Sequence, residues 1–177
     1  GVMVLQELPA GDTPQLLQEY PRIIAELFSH PSIVAWVLPA GINADAAKQV
    51  IEAIRKADPT RLVLGGPDGD IREIALADVE KAGPSKQATI LSPIGDIQAP
   101  LPGHAWTANA ASSPVNVTAN YMELARKMAA WKAKAGLSGF IYKQFSDSAG
   151  DHSGLIASDR AAIKLDLEQV VCANPPS

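Results

Sequence analysis

The stretch Ile33-Val34-Ala35-Trp36-Val37-Leu38 contains only apolar residues and is followed directly by Pro39. A short continuous apolar run of this kind is typical of a strand that is buried on both faces of a parallel sheet. A helical pattern of apolar residues precedes the run in Pro14–Phe28, and a second helical pattern follows it in residues 46–57. Helices that alternate with buried strands at this spacing predict parallel βα units.

The same alternation continues along the rest of the chain and sets the predicted fold class, α/β. We predict six strands, at Val2–Leu5, Ile33–Leu38, Arg61–Leu64, Ile71–Leu76, Ala88–Leu91 and Ser138–Tyr142. Pro21 is expected to kink or restart the first helix, Thr118 to cap a long third helix, and Ser158 to cap the last one. A complete eight-unit barrel needs roughly 250 residues. The two candidates are therefore a doubly wound sheet and a partial (β/α)8 TIM barrel of about six parallel βα units.

Composition excludes several classes of protein. The chain has 177 residues, 47% apolar and 19% charged, so it can bury a core and is not a disordered chain. Its formal net charge is −4 and its basic residues form no run, which disfavours a nucleic-acid partner. No stretch reaches the roughly 18 apolar residues of a membrane span. The first residues lack the charged start of a signal peptide, so we expect no membrane partner and leave the cellular compartment open.

The cysteine and histidine content argues against a metal centre. Cys172 is the only cysteine, so no internal disulfide can form, and His30, His104 and His152 lie at no spacing typical of metal ligands. We therefore predict no metal site and no cofactor.

Six short segments carry a more specific signal. They are Gly1–Glu7, His30–Trp36, Asp58–Arg61, Gly103–Trp106, Gly139–Asp147 and Gly154–Arg160. In this order they resemble the G-[IL]-x-V-W-Q-[DE], H-P-S-I-x-x-W, D-P-T-R, G-H-x-W, G-x-x-Y-T-Q-x-[ST]-D and N-G-L-x-x-x-D-R segments of glycoside hydrolase family 2, which includes β-galactosidases and β-glucuronidases. The resemblance implies that residues 1–172 cover roughly the third to eighth strands of a catalytic TIM barrel, with a frayed tail at 173–177.

The resemblance also implies where the catalytic carboxyl groups would lie. The family hydrolyses β-glycosides with retention, using an acid/base glutamate after the fourth strand and a nucleophilic glutamate at the end of the seventh. Gly41 occupies the acid/base position here, and Pro93 occupies the position of the nucleophile. A retaining mechanism needs two carboxyl groups about 5–5.5 Å apart. Because neither residue has a carboxyl group, we expect a pseudoenzyme.

A set of polar and aromatic residues could still contact a sugar. The candidates are Trp36, His104, Trp106, Tyr142, Gln144 and Asp147. An aromatic face can stack on the C–H bonds of a pyranose, and an imidazole, amide or carboxylate can bond to its hydroxyl groups. Each candidate also has a structural interpretation, and Trp36 in particular lies inside the apolar strand, where core packing is the usual role.

Three functional hypotheses follow. The first is a non-catalytic scaffold or interaction subunit, whose open barrel edges are covered by a second polypeptide or by another copy of the chain. The second is a carbohydrate-binding relic of a β-glycosidase. The third is an active retaining β-glycosidase with relocated carboxylates, of which Asp96, three residues after Pro93, is the first candidate.

Overall fold

The computed structural model describes residues 1–105 and 116–173. The strands are β1 (Val4–Glu7), β2 (Ile33–Val37), β3 (Leu62–Leu64), β4 (Ile71–Ile74), β5 (Ala88–Gly95) and β6 (Leu137–Lys143). The α-helices are α1 (Thr13–Leu27), α2 (Ala44–Ala57), α3 (Val117–Ala135) and α4 (Leu167–Ala173). Strands and α-helices alternate in the described residues except between β3 and β5, where the only helical segment is a 3-10 turn at Leu76–Asp78. The six strands form one sheet in chain order. The predicted α/β class and the number of strands are therefore confirmed.

The chain divides into two compact units. The first unit contains residues 1–73 and 86–89, and the second contains residues 74–85 and the described residues from 90 onward. In the first unit β1 pairs with β2, β2 with β3, and β3 with β4, all in parallel. None of the helices described here is both long enough and apolar enough to cross a membrane.

The core of the first unit lies between its strands and its two helices. Fully buried residues from β2, β3, α1 and α2 form one hydrophobic cluster, which includes Leu16, Ile24, Trp36, Val50, Ile54 and Val63. Each helix has an N-terminal cap that its sequence provides: Asp12 accepts a hydrogen bond from the backbone N–H of Gln15, and Asn43 accepts one from Ala46. Such caps satisfy backbone donors that the first helical turn leaves unpaired.

A buried carboxylate organises the first unit at the end of α2. Asp58 has no exposed surface and accepts hydrogen bonds from Trp36 Nε1 (3.0 Å), from the backbone N–H and hydroxyl of Thr60, and from Arg61 Nη1 (2.7 Å). Arg61 also donates to the carbonyl oxygens of Phe28, His30 and Ile33. The Asp58–Arg61 pair therefore joins the end of α2 to β2 and to the loop after α1.

The core of the second unit is a separate cluster. It contains Val79, Leu91, Ile94, Met128, Trp131, Ala135 and Leu137. Helix α3 is capped by Asn116, which accepts from the backbone N–H of Ala119, so the predicted cap at Thr118 is wrong. The helix is followed by Gly136 in a left-handed conformation (φ 66°). Glycine adopts that conformation without the cost that a side chain would bring.

Several predicted element boundaries were wrong. No helix begins at Ser158; its hydroxyl donates to the carbonyl oxygen of His104, and the last helix begins at Leu167 with Asp166 accepting from the first-turn N–H groups. Helix α1 continues through Pro21 rather than restarting there. Strand β5 extends past the predicted end at Leu91 to Gly95, so Pro93 lies within the strand.

Candidate functional site

The second unit has an open depression at the carboxyl ends of β5 and β6. It has a volume of about 440 Å³, and its lining includes Pro93, Gly95 and Asp96 from the end of β5, Lys143 from the end of β6, and Asp151 and Ser153 from the following loop. In parallel α/β folds, ligands bind outside the carboxyl ends of the strands, where the connecting loops meet. This depression is therefore the candidate site.

Gly95 permits a close approach of backbone and side chain beneath the depression. Its φ is 121°, and a Cβ atom placed there would lie 2.6 Å from the carbonyl oxygen of Lys143 and 2.9 Å from Cζ of Tyr142. A larger residue would therefore push Tyr142 and the end of β6 away from β5. The small residue sets the shape of the floor of the site.

The two carboxylates of the depression share one hydrogen-bond donor. Gln98 Nε2 donates to Asp96 Oδ1 (2.8 Å) and to Asp151 Oδ1 (3.0 Å). Ser153 donates to the same Asp151 oxygen through its backbone N–H (3.0 Å) and its hydroxyl (2.6 Å). These bonds from Ser153 and Gln98 hold the pKa of Asp151 below its usual range, so this carboxyl group is ionised near neutral pH.

Tyr142 lies at the edge of the same group. Its hydroxyl is 3.4 Å from the carbonyl oxygen of Ser153, and its ring packs against that of Tyr121 with centroids 5.9 Å apart. Burial raises the pKa of Tyr142, and Tyr121 and the negative charges of Asp151 and Asp96 raise it further. The phenol is therefore neutral and able to donate a hydrogen bond.

The surroundings of Asp147 indicate a structural role for its carboxylate. Its side chain is fully buried, and Oδ1 accepts from Lys164 Nζ (2.6 Å) and from the backbone N–H of Gly154 (2.9 Å). Its Oδ2 lies 3.8 Å from Nδ1 of His152, and among the described residues neither atom has a hydrogen-bond partner. With no exposed surface, this carboxylate holds the loop after β6 in place.

Comparison with known proteins identifies the fold. No family model and no curated protein matches the sequence. The β-D-glucuronidase of Dictyoglomus thermophilum superposes with a TM-score of 0.66 at 14% identity, over 93% of this chain and 36% of that one. The GH2 β-galacturonidase of Eisenbergiella tayi, solved with bound galacturonate, gives 0.66 at 15% identity over 91% and 36%. The Faecalibacterium prausnitzii β-glucuronidase gives 0.60 at 17% identity over 92% and 34%.

The chain has a glycoside hydrolase family 2-like fold. At these identities the likeness establishes the fold alone. The chain spans about a third of the length of these three enzymes. The family 2-like fold agrees with the resemblance drawn from the sequence motifs, whereas the assignment of the two catalytic positions remains a prediction.

The predicted catalytic positions lie in different units of the family 2-like fold. Gly41 is in the first unit, in a turn after β2, with a φ of 79° and open space where a Cβ atom would be. Pro93 is in the second unit and lines the depression. Neither residue has an ionisable side chain, so neither can transfer a proton or attack a sugar.

The predicted sugar contacts have different surroundings. Trp36 is fully buried in the first core and has no exposed face for stacking. Gln144 donates to the carbonyl oxygen of Asp151 (3.2 Å) and so supports the loop that lines the depression. His104 Nδ1 is 2.8 Å from Asp159 Oδ2 in a partly exposed pair. Trp106 lies outside the described residues.

The depression includes residues that sequence reasoning did not select. Lys143, Asp151 and Ser153 were missed, as was Gln98 beside them. Lys143 was the most detectable, because it is a charged residue directly after the apolar residues of β6, where the family motif has threonine. Within the described residues, no group of three histidine, cysteine, aspartate or glutamate side chains could hold a metal ion.

Proposed function

We propose that this chain is a non-catalytic segment with a family 2-like fold that serves as an interaction subunit. The observation that carries the proposal is the absence of a carboxyl group at Gly41 and Pro93, the counterparts assigned to the acid/base and the nucleophile. Loss of a general acid alone costs about 10²–10⁴ in rate. Loss of the nucleophile removes the covalent route.

Two of the carboxylates in the second unit are unsuited to the acid/base role. Asp151 stays ionised near neutral pH because of its bonds to Ser153 and Gln98, whereas a general acid must carry a proton at the operating pH. Asp147 is fully buried against Lys164 and does not face the depression. Asp96, which follows β5 and has one oxygen bonded to Gln98, is therefore the carboxylate of the depression to test.

We expect no hydrolysis of aryl β-glucuronides or aryl β-galactosides above the rate in buffer, because the counterparts of the two catalytic carboxyl groups are Gly41 and Pro93. The measurement is release of the aryl alcohol by the purified chain over a range of pH. Turnover that is lost in Asp96→Asn, but kept in the exposed control Asp68→Asn, would instead establish an active enzyme with relocated carboxylates.

The edges of the sheet support the interaction role. Strand β1 is the first in the sheet and, among the described residues, pairs with β2 alone. Apolar side chains are exposed in this strand and just before it. Val2 and Met3 are each 80% exposed, and Leu5 is 40% exposed. An unpaired edge with apolar side chains offers backbone donors and acceptors to another chain. The partner that we propose is a second polypeptide or another copy of this chain.

We expect the native mass to exceed that of one chain, because an added chain would cover this edge. The measurement is light scattering coupled to size-exclusion chromatography. It is made on the purified protein alone and on the protein after incubation with an extract of the cells that it comes from. Leu5→Lys places a charge on the edge and is expected to return the particle to the mass of a monomer, whereas Leu62→Lys, at a similarly exposed leucine of β3, should not. A native protein that stays monomeric in both preparations contradicts the proposal.

A second candidate function is carbohydrate binding in the depression. The specific observation in its favour is a concave site of about 440 Å³ at the strand ends, lined by two carboxylates, an ammonium group and a hydroxyl group. Sugar hydroxyl groups are bound in proteins by polar groups of this kind, fixed in orientation by their own hydrogen bonds. Asp151, held by Ser153 and Gln98, meets that condition.

A further inference from the structure

We propose that the depression at the ends of β5 and β6 selects sugars by charge, binding amino sugars most tightly, neutral sugars less tightly and uronic acids least. This inference deepens the carbohydrate-binding candidate and rests on it. It follows from the charges that line the depression, which are two carboxylates, Asp96 and Asp151, and one ammonium group, Lys143.

The two negative charges are close together. Asp96 Oδ1 and Asp151 Oδ1 lie 2.8 Å and 3.0 Å from the same nitrogen of Gln98. Gln98 is neutral, so it fixes the two carboxylates in position without cancelling their charge. Both therefore act on a ligand in the depression from the same side.

Lys143 offsets only part of this charge. Its ammonium group acts on Asp151 and helps to lower the pKa of that carboxyl group, but among the described residues it forms no ion pair within 4.0 Å. Lys143 and Asp96 are both exposed, so water weakens the effect of each on a ligand. With two carboxylates and one ammonium group in its lining, the depression keeps a net negative charge.

A ligand with its own charge responds to this field. The ammonium group of an amino sugar is attracted by Asp96 and Asp151 and can donate to their oxygen atoms. The carboxylate of a uronic acid is repelled by the same oxygen atoms and would have to displace water from them. This preference differs from what is indicated by the names of the structural neighbours, which are glucuronidases and a galacturonidase.

The experiment compares three ligands that differ in one group: methyl β-D-glucoside, its 2-amino-2-deoxy analogue and methyl β-D-glucuronide. Each is titrated into the isotopically labelled full chain at low ionic strength, and the backbone amide signals of Gly95 and Asp96 report binding at this site. We expect a dissociation constant about fivefold lower for the amino sugar than for the glucoside, and about fivefold higher for the glucuronide. Both ratios should shrink in high salt.

Asp96→Asn tests the source of the selectivity. Asp96 has a φ of 53°, and asparagine tolerates this left-handed conformation well, so the backbone and the bond from Gln98 are retained. We expect the preference for the amino sugar over the glucuronide to fall about fivefold in this variant. Asp68→Asn, which removes the same charge from an exposed loop of the first unit, should leave it unchanged.

The outcomes distinguish a failure of sugar binding from a failure of charge selection. If none of the three sugars shifts the amides of Gly95 and Asp96, the carbohydrate-binding candidate and this inference both fail. If all three bind equally, or if the glucuronide binds most tightly, the charge selection is wrong while sugar binding stands. A preference that Asp96→Asn leaves intact also overturns the inference, because the charge would then not be its source.

Discussion

Replacement of Asp58 by alanine is expected to lower the free energy of unfolding of the first unit by about 3–5 kcal/mol. The substitution leaves the guanidinium of Arg61, whose side chain is 11% exposed, without its carboxylate, and it leaves the indole N–H of Trp36 buried without an acceptor. Loss of one member of a buried ion pair costs more than the pair itself contributes, because the other charge remains desolvated.

The measurement is denaturant unfolding, with hydrogen exchange of peptides from each unit to locate the effect. Asp68→Ala removes an exposed aspartate of the same unit and should change stability by about 0.5 kcal/mol or less. If Asp58→Ala were no more destabilising than this control, the hydrogen-bonded centre at the end of α2 would not stabilise the fold.

Asp58 also makes the stability of the first unit depend on pH. Burial alone would raise the pKa of Asp58, but hydrogen bonds from Thr60, Arg61 and Trp36 outweigh it and hold the pKa well below its usual range. The carboxylate therefore contributes stability above its unfolded pKa of about 4, and this contribution is lost as the pH falls toward the folded pKa. The difference in stability between the native chain and Asp58→Asn should be largest at neutral pH and should shrink below about pH 4.

The second large effect is expected for Lys164→Met. Lys164 is 3% exposed and its ammonium group is bound to Asp147, which is 0% exposed, and to the carbonyl oxygen of His152. Methionine fills a similar volume but leaves the Asp147 carboxylate buried without its cation. We expect the free energy of unfolding of the second unit to fall by about 3–5 kcal/mol.

Lys134→Met provides the matched control, because Lys134 pairs with Glu80 in solvent, with 56% and 63% of the two side chains exposed. Exposed pairs contribute about 0–1 kcal/mol. A double variant in which Asp147→Leu accompanies Lys164→Met should recover part of the loss, since both buried charges are then removed. A double variant as unstable as the single one would show that packing, and not the unpaired charge, explains the effect.

The elements that were predicted well are those with strong local signals. The apolar run at β2 and the helical spacing of α2 define a strand and a helix without help from the rest of the chain. The helix predicted from Ser158 does not form, although its apolar residues have helical spacing. Backbone pairing replaces it: Ile156 bridges to Ile163, and the Ala157 N–H donates to the carbonyl oxygen of Ala162. The spacing of apolar residues along the sequence does not reveal such tertiary pairs.

The candidate site was predictable only in part. The family resemblance puts Pro93 at the end of a strand, whereas the structure has it within β5, where it lines the depression. Asp147 was selected because it matches a residue of the family motif, yet only the structure reveals that its charge is bound by Lys164, 17 residues further along the chain. Partnerships of this range depend on how the loop folds back, which no local pattern encodes.

The backbone at Gly41 has a consequence for how this protein could evolve. A glutamate there would find open space, but it would have to adopt a φ of 79°, a conformation that costs an L-residue about 1–2 kcal/mol. That single mutation would also bring no hydrolysis while Pro93 lacked a nucleophile. If Gly41 and Pro93 are the counterparts that we propose, a glutamate at Gly41 alone is neutral or harmful, so selection does not favour that mutation as the first step back to catalysis.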